Sequence, residues 1–416
     1  MRMPTVKEVA CRLGPVIANS GAFGVSARQP IERHSVTGLT PVASLPVRLA
    51  AWPAIPSISA GTPARRRRPR PRRRRGWTAG WCGATASTTR RRCAASSWPS
   101  STIPGALAHW GIAYAAGPNY NKDWDAFDAV DLRASLRRAH AAVTSAREAA
   151  AGAADVERDL VDALAQRFPG PEPVEDFAPW KLAYADAMAG VHARHPDDLD
   201  VAALYADAMM NLTPWQLWEV ATGQPAAGAR TLEIKRVLEQ ALGLPGGMAH
   251  PGLLHLYVHL MEMSAHPEQA LGPADALRTL VPDAGHLLHM PTHIDVLCGD
   301  YARVVACNDA AIAADDRYAA HAGDVGFYAL YRAHDHHFRI YGAMFGAQRQ
   351  VALDAAGALE AMLSEELLRV EVPPMADWLE GSVPMCIHVL VRFGAWDELT
   401  PRPCRQTTSS TASPPR

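Results

Sequence analysis

The chain has 416 residues, of which 48% are hydrophobic and 20% are charged, and its formal net charge is -1 at pH 7. This is the composition of a soluble globular protein, long enough to bury one large or two ordinary cores. No stretch reaches the length of an apolar membrane-spanning helix, and the N-terminal apolar segment is broken by Arg12, so we expect no signal peptide, no membrane partner and a cytoplasmic location. The seven cysteines form no C-x-x-C pair, which argues against a thiolate zinc cluster and against a disulfide framework.

The near-zero net charge hides a division of the chain. Residues 1–103 contain 18 Lys and Arg against two acids, whereas residues 104–398 contain 20 Lys and Arg against 40 acids. The basic part includes a Pro/Arg run at residues 63–75 and shows no sustained helical or strand period, so we expect it to be disordered. The acidic balance of residues 104–399 predicts that this part binds no nucleic acid.

Three explanations fit the basic segment. It is a nucleic-acid-binding arm, a targeting segment, or the product of a GC-rich gene translated out of frame. Reading residues 76–102 from the third base of GC-rich codons yields an amphipathic helical hairpin that runs directly into Pro104. The same operation on residues 400–416 yields an acidic, helix-compatible segment. We therefore favour a frame shift in both segments, residues 1–103 and 400–416, and expect the tail as written to be disordered.

Residues 104–399 show helical periodicity with Gly and Pro between the helices, and no alternation long enough for a sheet, which predicts an all-α fold. One register repeats after 34 residues, the length of a tetratricopeptide (TPR) unit. It pairs Ala270, Ala274, Leu277 and Pro282 with Val304, Asn308, Ala311 and Asp316. Gly299, Asp300 and Tyr301 fall at the predicted turn inside the second unit. The sequence therefore predicts a TPR-type α-solenoid of helical hairpins over residues 104–399.

The predicted repeats are interrupted by insertions at residues 117–124, 169–179, 212–229 and 319–328, and insertions in solenoids often lie where ligands bind. The last predicted helix, residues 382–393, has no complete partner helix after it. We expect its apolar face to be exposed and to promote self-association. That face consists of Val383, Ile387, Leu390 and Val391.

Histidines recur at helical spacing on successive predicted hairpins. The three sets are His255, His259 and Glu262, then His286, His289 and His293, then His334 and His337. Residues three, four and seven apart lie along one face of a helix, so each set can point to one place. Imidazole suits zinc, copper, iron and nickel, and three His with or without a carboxylate is a common ligand set. We predict that His255, His259, His286, His289 and His293 bind a transition metal (zinc, iron or copper), with Glu262 as ligand or base.

Two other interpretations of the array stay open. The histidines could line a groove that binds a peptide or a small anion, or they could be packed side chains satisfied by neighbours such as Asp295 or Tyr257. The His-x3-His spacing matches the H-E-x-x-H metalloproteases, but Leu256 stands where their general base would be, so that mechanism is not supported.

Several blocks of the chain resemble a group of largely uncharacterised bacterial TPR proteins with a His-rich groove. They are residues 108–114 and 117–121 (AHWGIAY and GPNYN), 250–255 (HPGLLH), 285–293 (GHLLHMPTH), and Tyr331, His334, Asp335, His337 and Phe338. The resemblance covers residues 104–399 and implies the solenoid fold. Its blocks contain His109, His250, His334 and His337, and these, together with Glu262 from the array, are the other candidate binding residues.

The function expected from the residues and the resemblance is a binding or scaffold protein. It would hold a peptide, protein or small-molecule ligand in a His-lined groove, with or without a bound transition metal. The alternative is a metal-dependent hydrolase or oxygenase that uses the histidines as ligands.

Overall fold

The computed structural model describes residues 105–371 and 375–399, all of which belong to one unit, Arg74–Arg416. The predictions for residues 1–103 and for the tail 400–416, including the frame shift, lie outside the described residues. Within the described ranges, no helix has the length and apolar character needed to cross a membrane.

The described residues are predominantly helical, which confirms the predicted all-α class. The α-helices are α1 (Gly105–Ala116), α2 (Ala129–Ala149), α3 (Asp155–Arg167), α4 (Ala178–Arg194), α5 (Leu199–Met210), α6 (Thr231–Gly243), α7 (Pro251–Met261), α8 (Leu271–Leu277), α9 (Gly285–His289), α10 (Pro291–Cys298), α11 (Tyr301–Ala322), α12 (Ala329–Phe345), α13 (Arg349–Met362), α14 (Glu365–Leu368), α15 (Met375–Leu379), α16 (Met385–Arg392) and α17 (Trp396–Leu399). Short 3₁₀ helices cover Trp124–Ala126, Ala150–Gly152, Gly247–Ala249, Pro267–Ala270 and Glu380–Ser382.

Aspartates begin several of these helices. The side chains of Asp128, Asp198 and Asp300 accept hydrogen bonds from backbone N–H groups in the first turns of α2, α5 and α11, which have no partners within the helix. Just before Asp300, Gly299 ends α10 with a φ of 82°, a conformation that favours glycine. The turn predicted at residues 299–301 is therefore confirmed.

Helices pack mainly against their neighbours in chain order, with α1 on α2, α6 on α7, α11 on α12 and α12 on α13. The approach of α11 to α12 is close: a Cβ added at Gly342 would lie 2.6 Å from Val304 Cγ1. One hydrophobic cluster of buried residues runs from Ala106 to Ile294, and a second runs from Val305 to Leu390. The boundary between these clusters falls at α10, among the predicted ligands.

Most positions of the 34-residue register are buried, as a repeated core position requires. Ala270, Ala274 and Leu277 are fully buried, and so are Val304, Asn308 and Ala311. The register therefore marks equivalent buried positions in residues 270–277 and in α11. It does not make the helices equal in length, because α8 ends at Leu277 whereas α11 continues past Asp316 to Ala322.

Three predicted insertions, residues 117–124, 169–179 and 212–229, are largely non-helical. Residues 117–124 contain an isolated antiparallel bridge between Asn119 and Lys122. Residues 212–229 contain a two-residue antiparallel pair, β1 (Trp218–Glu219) and β2 (Gln224–Pro225). The predicted start of the insertion 319–328 is wrong, because the Ala-rich end of α11 stays helical to Ala322.

The predicted exposed face of the last long helix is correct only in part. Val391 is exposed and Val383 and Ile387 are half-buried, whereas Leu390 is fully buried in the second hydrophobic cluster, so its predicted exposure is wrong. The reason is that α16 already packs against α13 and α12, and α17 covers part of its remaining surface.

Candidate metal centre

Four helices bring six of the predicted histidines together. His255 and His259 lie on α7, His286 and His289 on α9, His293 on α10 and His334 on α12. Met290, between α9 and α10, keeps helical backbone angles, so the spacing of three and four residues continues across the junction. The histidines therefore point inward from adjacent helices, as the periodicity predicted.

The histidines form two separate groups. Group 1 is His255, His259 and His286, and group 2 is His289, His293 and His334. Within each group the three candidate ligand nitrogens lie within 4.8 Å of one another, close enough to hold a metal ion. Five of the six side chains are buried and His334 is half-buried.

In group 1, the Nε2 atoms of His255 and His286 are 3.1 Å apart. The ring of His259 packs edge-on against the ring of His255, with centroids 4.7 Å apart. Three ring nitrogens of this group are buried without a hydrogen-bond partner, namely His255 Nδ1, His259 Nε2 and His286 Nδ1. Buried polar atoms of this kind carry a desolvation cost, so each calls for an explanation.

In group 2, His293 Nε2 lies 2.8 Å from His289 Nε2 and 3.4 Å from His334 Nε2. Around a tetrahedral zinc ion with Zn–N distances of ~2.0–2.1 Å, ligand nitrogens are about 3.3 Å apart. The Nε2 atoms of group 2 are close to that arrangement, as are the two facing Nε2 atoms of group 1.

A buried asparagine determines which nitrogen of His289 carries its proton. Asn308 Nδ2 donates to the backbone oxygen of Val304 at 2.8 Å, which leaves Asn308 Oδ1 facing His289 Nδ1 at 2.7 Å. Since an amide oxygen only accepts, His289 must donate its Nδ1–H, and its Nε2 carries the lone pair. Asp335 Oδ1, 3.2 Å from the same Nδ1, is a second acceptor.

Glu262 acts in the same way on one histidine of each group. Its Oε1 lies 2.7 Å from His259 Nδ1, and its Oε2 is paired with His293 Nδ1. Burial alone would raise the pKa of Glu262, but His293 and His259 lower it below its ordinary value, so the carboxylate is ionised. An ionised carboxylate only accepts, so both rings donate Nδ1–H to Glu262, and in the neutral form of each ring Nε2 carries the lone pair and faces its group. Glu262 is thus an orienting residue and not a metal ligand in this geometry.

Burial keeps most of these imidazoles neutral. It lowers the pKa values of His255, His286, His289 and His334 well below the ordinary value, and the neighbouring histidines lower them further. A neutral imidazole has one nitrogen with a free lone pair, which is the form that binds a metal.

Behind His289 lies a pair of buried carboxyl groups. Burial, and then the adjacent Asp315, raise the pKa of Asp335 well above its ordinary value. The hydroxyl of Tyr328 hydrogen-bonds to Asp315. Gly285, the first residue of α9, leaves space for the Asp315 carboxylate, because a Cβ at that position would overlap it.

Aromatic side chains close the two groups from outside. Tyr120 and Trp215, from the two insertions 117–124 and 212–229, pack on the ring of His259 with centroids 5.0 and 5.6 Å away. Trp215 has a φ of 62°, which is a strained backbone conformation for a bulky residue. The ring of Phe338 lies 4.6–4.8 Å from all three rings of group 2.

Three of the predicted binding residues have other surroundings. His250 caps α7: its Nδ1 accepts from Leu253 N–H and its Nε2 faces Asp200 Oδ1, both at 3.1 Å. Burial, and then His388, lower the pKa of His337 to about 4, and the ring of His337 packs on Tyr341. His109 is half-buried on α1 and belongs to neither group.

The packing interpretation named partners that are engaged elsewhere. Asp295 forms an ion pair with Arg278 at 2.6 Å, and the hydroxyl of Tyr257 donates to Glu239 at 2.9 Å. Neither side chain therefore satisfies His286 or His289.

Sequence reasoning missed the residues that orient the ligands. Asn308 was noted only as a repeat position, and Asp335 only as part of a similar block. The signal for Asn308 was its polar side chain at a register position otherwise occupied by buried apolar residues. For Tyr120 and Trp215, the signal was the pair of insertions that contain them.

Comparison with known proteins adds no assignment. No protein-family model matches the chain. No curated protein matches it by sequence. The functional conclusion therefore depends on the geometry of the two histidine groups.

Proposed function

We propose that this protein binds transition-metal ions through its buried histidine groups. One observation carries the proposal: in group 2, Asn308 and Glu262 accept from Nδ1 of His289 and His293, so that the two Nε2 atoms face each other at 2.8 Å, each with a lone pair when both rings are neutral. Two acceptors at that distance repel each other. A metal cation between the two nitrogens removes the repulsion, because both lone pairs coordinate it.

The donor set indicates the class of metal. Three imidazoles without thiolate or carboxylate ligands suit zinc, copper, iron or nickel, and do not suit the oxygen-seeking ions magnesium and calcium. Carboxylate, carbonyl or carboxamide hydrogen bonds to the outer nitrogen of a ligating histidine are the usual arrangement in protein metal sites. His259, His289 and His293 all have such a partner.

Burial favours an ion over a peptide as the ligand of the histidines. Five of the six rings are buried, and aromatic side chains pack over both groups, so the site suits a small ligand better than an extended chain. A peptide or protein ligand elsewhere on the helical array stays a prediction from the sequence.

Metal-dependent catalysis is the second candidate. Each group offers three histidines, and catalytic zinc sites use three protein ligands and leave the fourth position for water or substrate. The half-buried His334 makes group 2 the more accessible of the two groups.

We further propose that the scaffold is a TPR-type solenoid. The 34-residue register of buried positions and the packing of most helices on their chain neighbours support it. His255 and His289 are 34 residues apart, as are His259 and His293, so the ligand pairs follow the same repeat.

The test is metal binding by the full chain after chelation and dialysis. We expect the apoprotein to bind Zn²⁺ and Co²⁺, with Co²⁺ giving the intense visible absorption of tetrahedral coordination, and His293→Ala to lose the group 2 ion. His266→Ala is the matched control, because the His266 side chain is 67% exposed and lies outside both groups. Absence of binding by the unaltered chain, or unchanged binding by His293→Ala, would contradict the proposal.

A further inference from the structure

We infer that the two histidine groups form one dinuclear centre, which holds two transition-metal ions and in which Glu262 orients one ligand of each ion. The inference rests on the proposed function and goes beyond it by assigning a second ion, to group 1, and a linking residue.

Group 1 has the features of a second site in its own right. His259 Nε2 is buried without a hydrogen-bond partner, while Glu262 holds the opposite nitrogen of the same ring. His259 Nε2 is therefore directed into group 1, beside the facing Nε2 atoms of His255 and His286. An ion at that position would be coordinated by His259 Nε2. This explains why the nitrogen is buried without a hydrogen-bond partner despite the desolvation cost.

The sequence repeat relates the two groups. Each consists of two histidines four residues apart plus one histidine from a following helix. His255 and His259 become His289 and His293 after one 34-residue period, and the third members are His286 and His334. Two successive repeats thus build the same three-imidazole arrangement twice.

The groups are adjacent but are not one six-ligand site. The closest rings across the boundary are 6.2 Å apart for His259 and His293, and 6.4 Å apart for His286 and His289, measured between centroids. The ligand atoms fall into two sets of three, each set within 4.8 Å. Two neighbouring ions match this division, whereas one ion would leave three imidazoles unused.

Glu262 connects the two sets. Its two oxygens are used by His259 Nδ1 in group 1 and His293 Nδ1 in group 2. Glu262 also lines a cavity of about 390 Å³ with Val220 and Leu297. One carboxylate therefore determines which nitrogen is presented to each ion.

The experiment measures the number of Zn²⁺ or Co²⁺ ions bound per full-length chain, and their affinities, in four variants. We expect two ions in the unaltered chain, one in His286→Ala and one in His334→Ala. In Glu262→Gln, the single amide oxygen can accept from only one of the two rings. We therefore expect the affinity of at least one ion to fall by about 10–100-fold. Glu268→Gln is the control, because Glu268 is an exposed carboxylate near the same helix end.

Circular dichroism and metal-dependent thermal shifts would establish that each variant folds. No bound ion in the unaltered chain would overturn the proposed function itself. A single ion that His334→Ala removes and His286→Ala leaves unchanged would overturn the dinuclear centre while the proposed function stands. Equal affinities in Glu262→Gln and Glu268→Gln would overturn the linking role of Glu262.

Discussion

The two histidine groups have the same local spacing but different support. In group 2, the outer nitrogens of His289 and His293 have acceptors from Asn308 and Glu262. In group 1, only His259 has such an acceptor, whereas His255 Nδ1 and His286 Nδ1 are buried without one. Asn308 on α11 is a polar partner of group 2 alone, and aromatic residues of two insertions cover group 1. The same histidine spacing therefore gives two sites that differ in how many ligands are oriented by a hydrogen bond, and we expect group 2 to bind its ion more tightly.

The largest effect is expected from removing equivalent ligands, His289→Ala and His255→Ala. Each variant should weaken the binding of the ion in its own group by more than about 100-fold. Removing a ligand should lower the affinity more than removing an orienting residue does. If group 2 is the tighter site, His289→Ala removes the high-affinity phase of a Co²⁺ titration and His255→Ala removes the low-affinity phase. The reverse assignment would contradict the comparison.

Asn308→Leu tests the support given to group 2 alone. His289 loses its acceptor and can adopt the other tautomer, so we expect affinity at group 2 to fall by about 10–100-fold, with group 1 unchanged. Competition with a chromophoric chelator measures both affinities. Gln350→Leu is the control, since the side chain of Gln350 is bonded only to Asp354 on the surface. An equal loss at both groups would show that Asn308 acts on the fold and not on one histidine.

Gly285→Ala perturbs the carboxyl pair behind His289. The added methyl group overlaps Asp315, and overpacking of this kind costs about 1–3 kcal/mol of unfolding free energy. Urea unfolding measures this loss, and the Co²⁺ titration should report weaker binding at group 2. Gly272→Ala on α8 is the matched control, because its Cβ would meet nothing within 4 Å. Similar stability in the two variants would mean that Asp315 moves aside without cost.

Acid should lower the stability of the apoprotein, an effect that is specific to neither histidine group. Burial lowers the pKa of His336 to about 4, against about 6.5 in an unfolded chain. Between these values the unfolded state binds more protons, so the stability of the apoprotein is complete above pH ~6.5 and falls as the pH drops toward 4. The depressed pKa values of His255, His286, His289 and His334 act in the same direction. Urea unfolding at pH 7.5 and pH 5 measures the change, and His336→Gln should reduce it. Equal stability at the two pH values would contradict this prediction.

Much of the fold was predictable because its signals are local. Helical periodicity gave the all-α class, and Gly299 with Asp300 marked a turn that the structure confirms. The burial of Leu390 was mispredicted because it depends on neighbouring helices, whereas the end of α11 was mispredicted although its Ala-rich sequence favours helix. The repeat pattern predicted which positions face inward, but it did not predict helix lengths.

For the site, the sequence determined which histidines share a helix face, since residues three and four apart must lie together on a helix. Tertiary structure decided how they divide into two groups, that His334 completes the second, and that Glu262 and Asn308 orient the rings from outside. It also gave His250 a capping role. These outcomes depend on contacts between residues distant in the chain, and on which atom of each side chain a neighbour occupies. Helical periodicity contains no information about either.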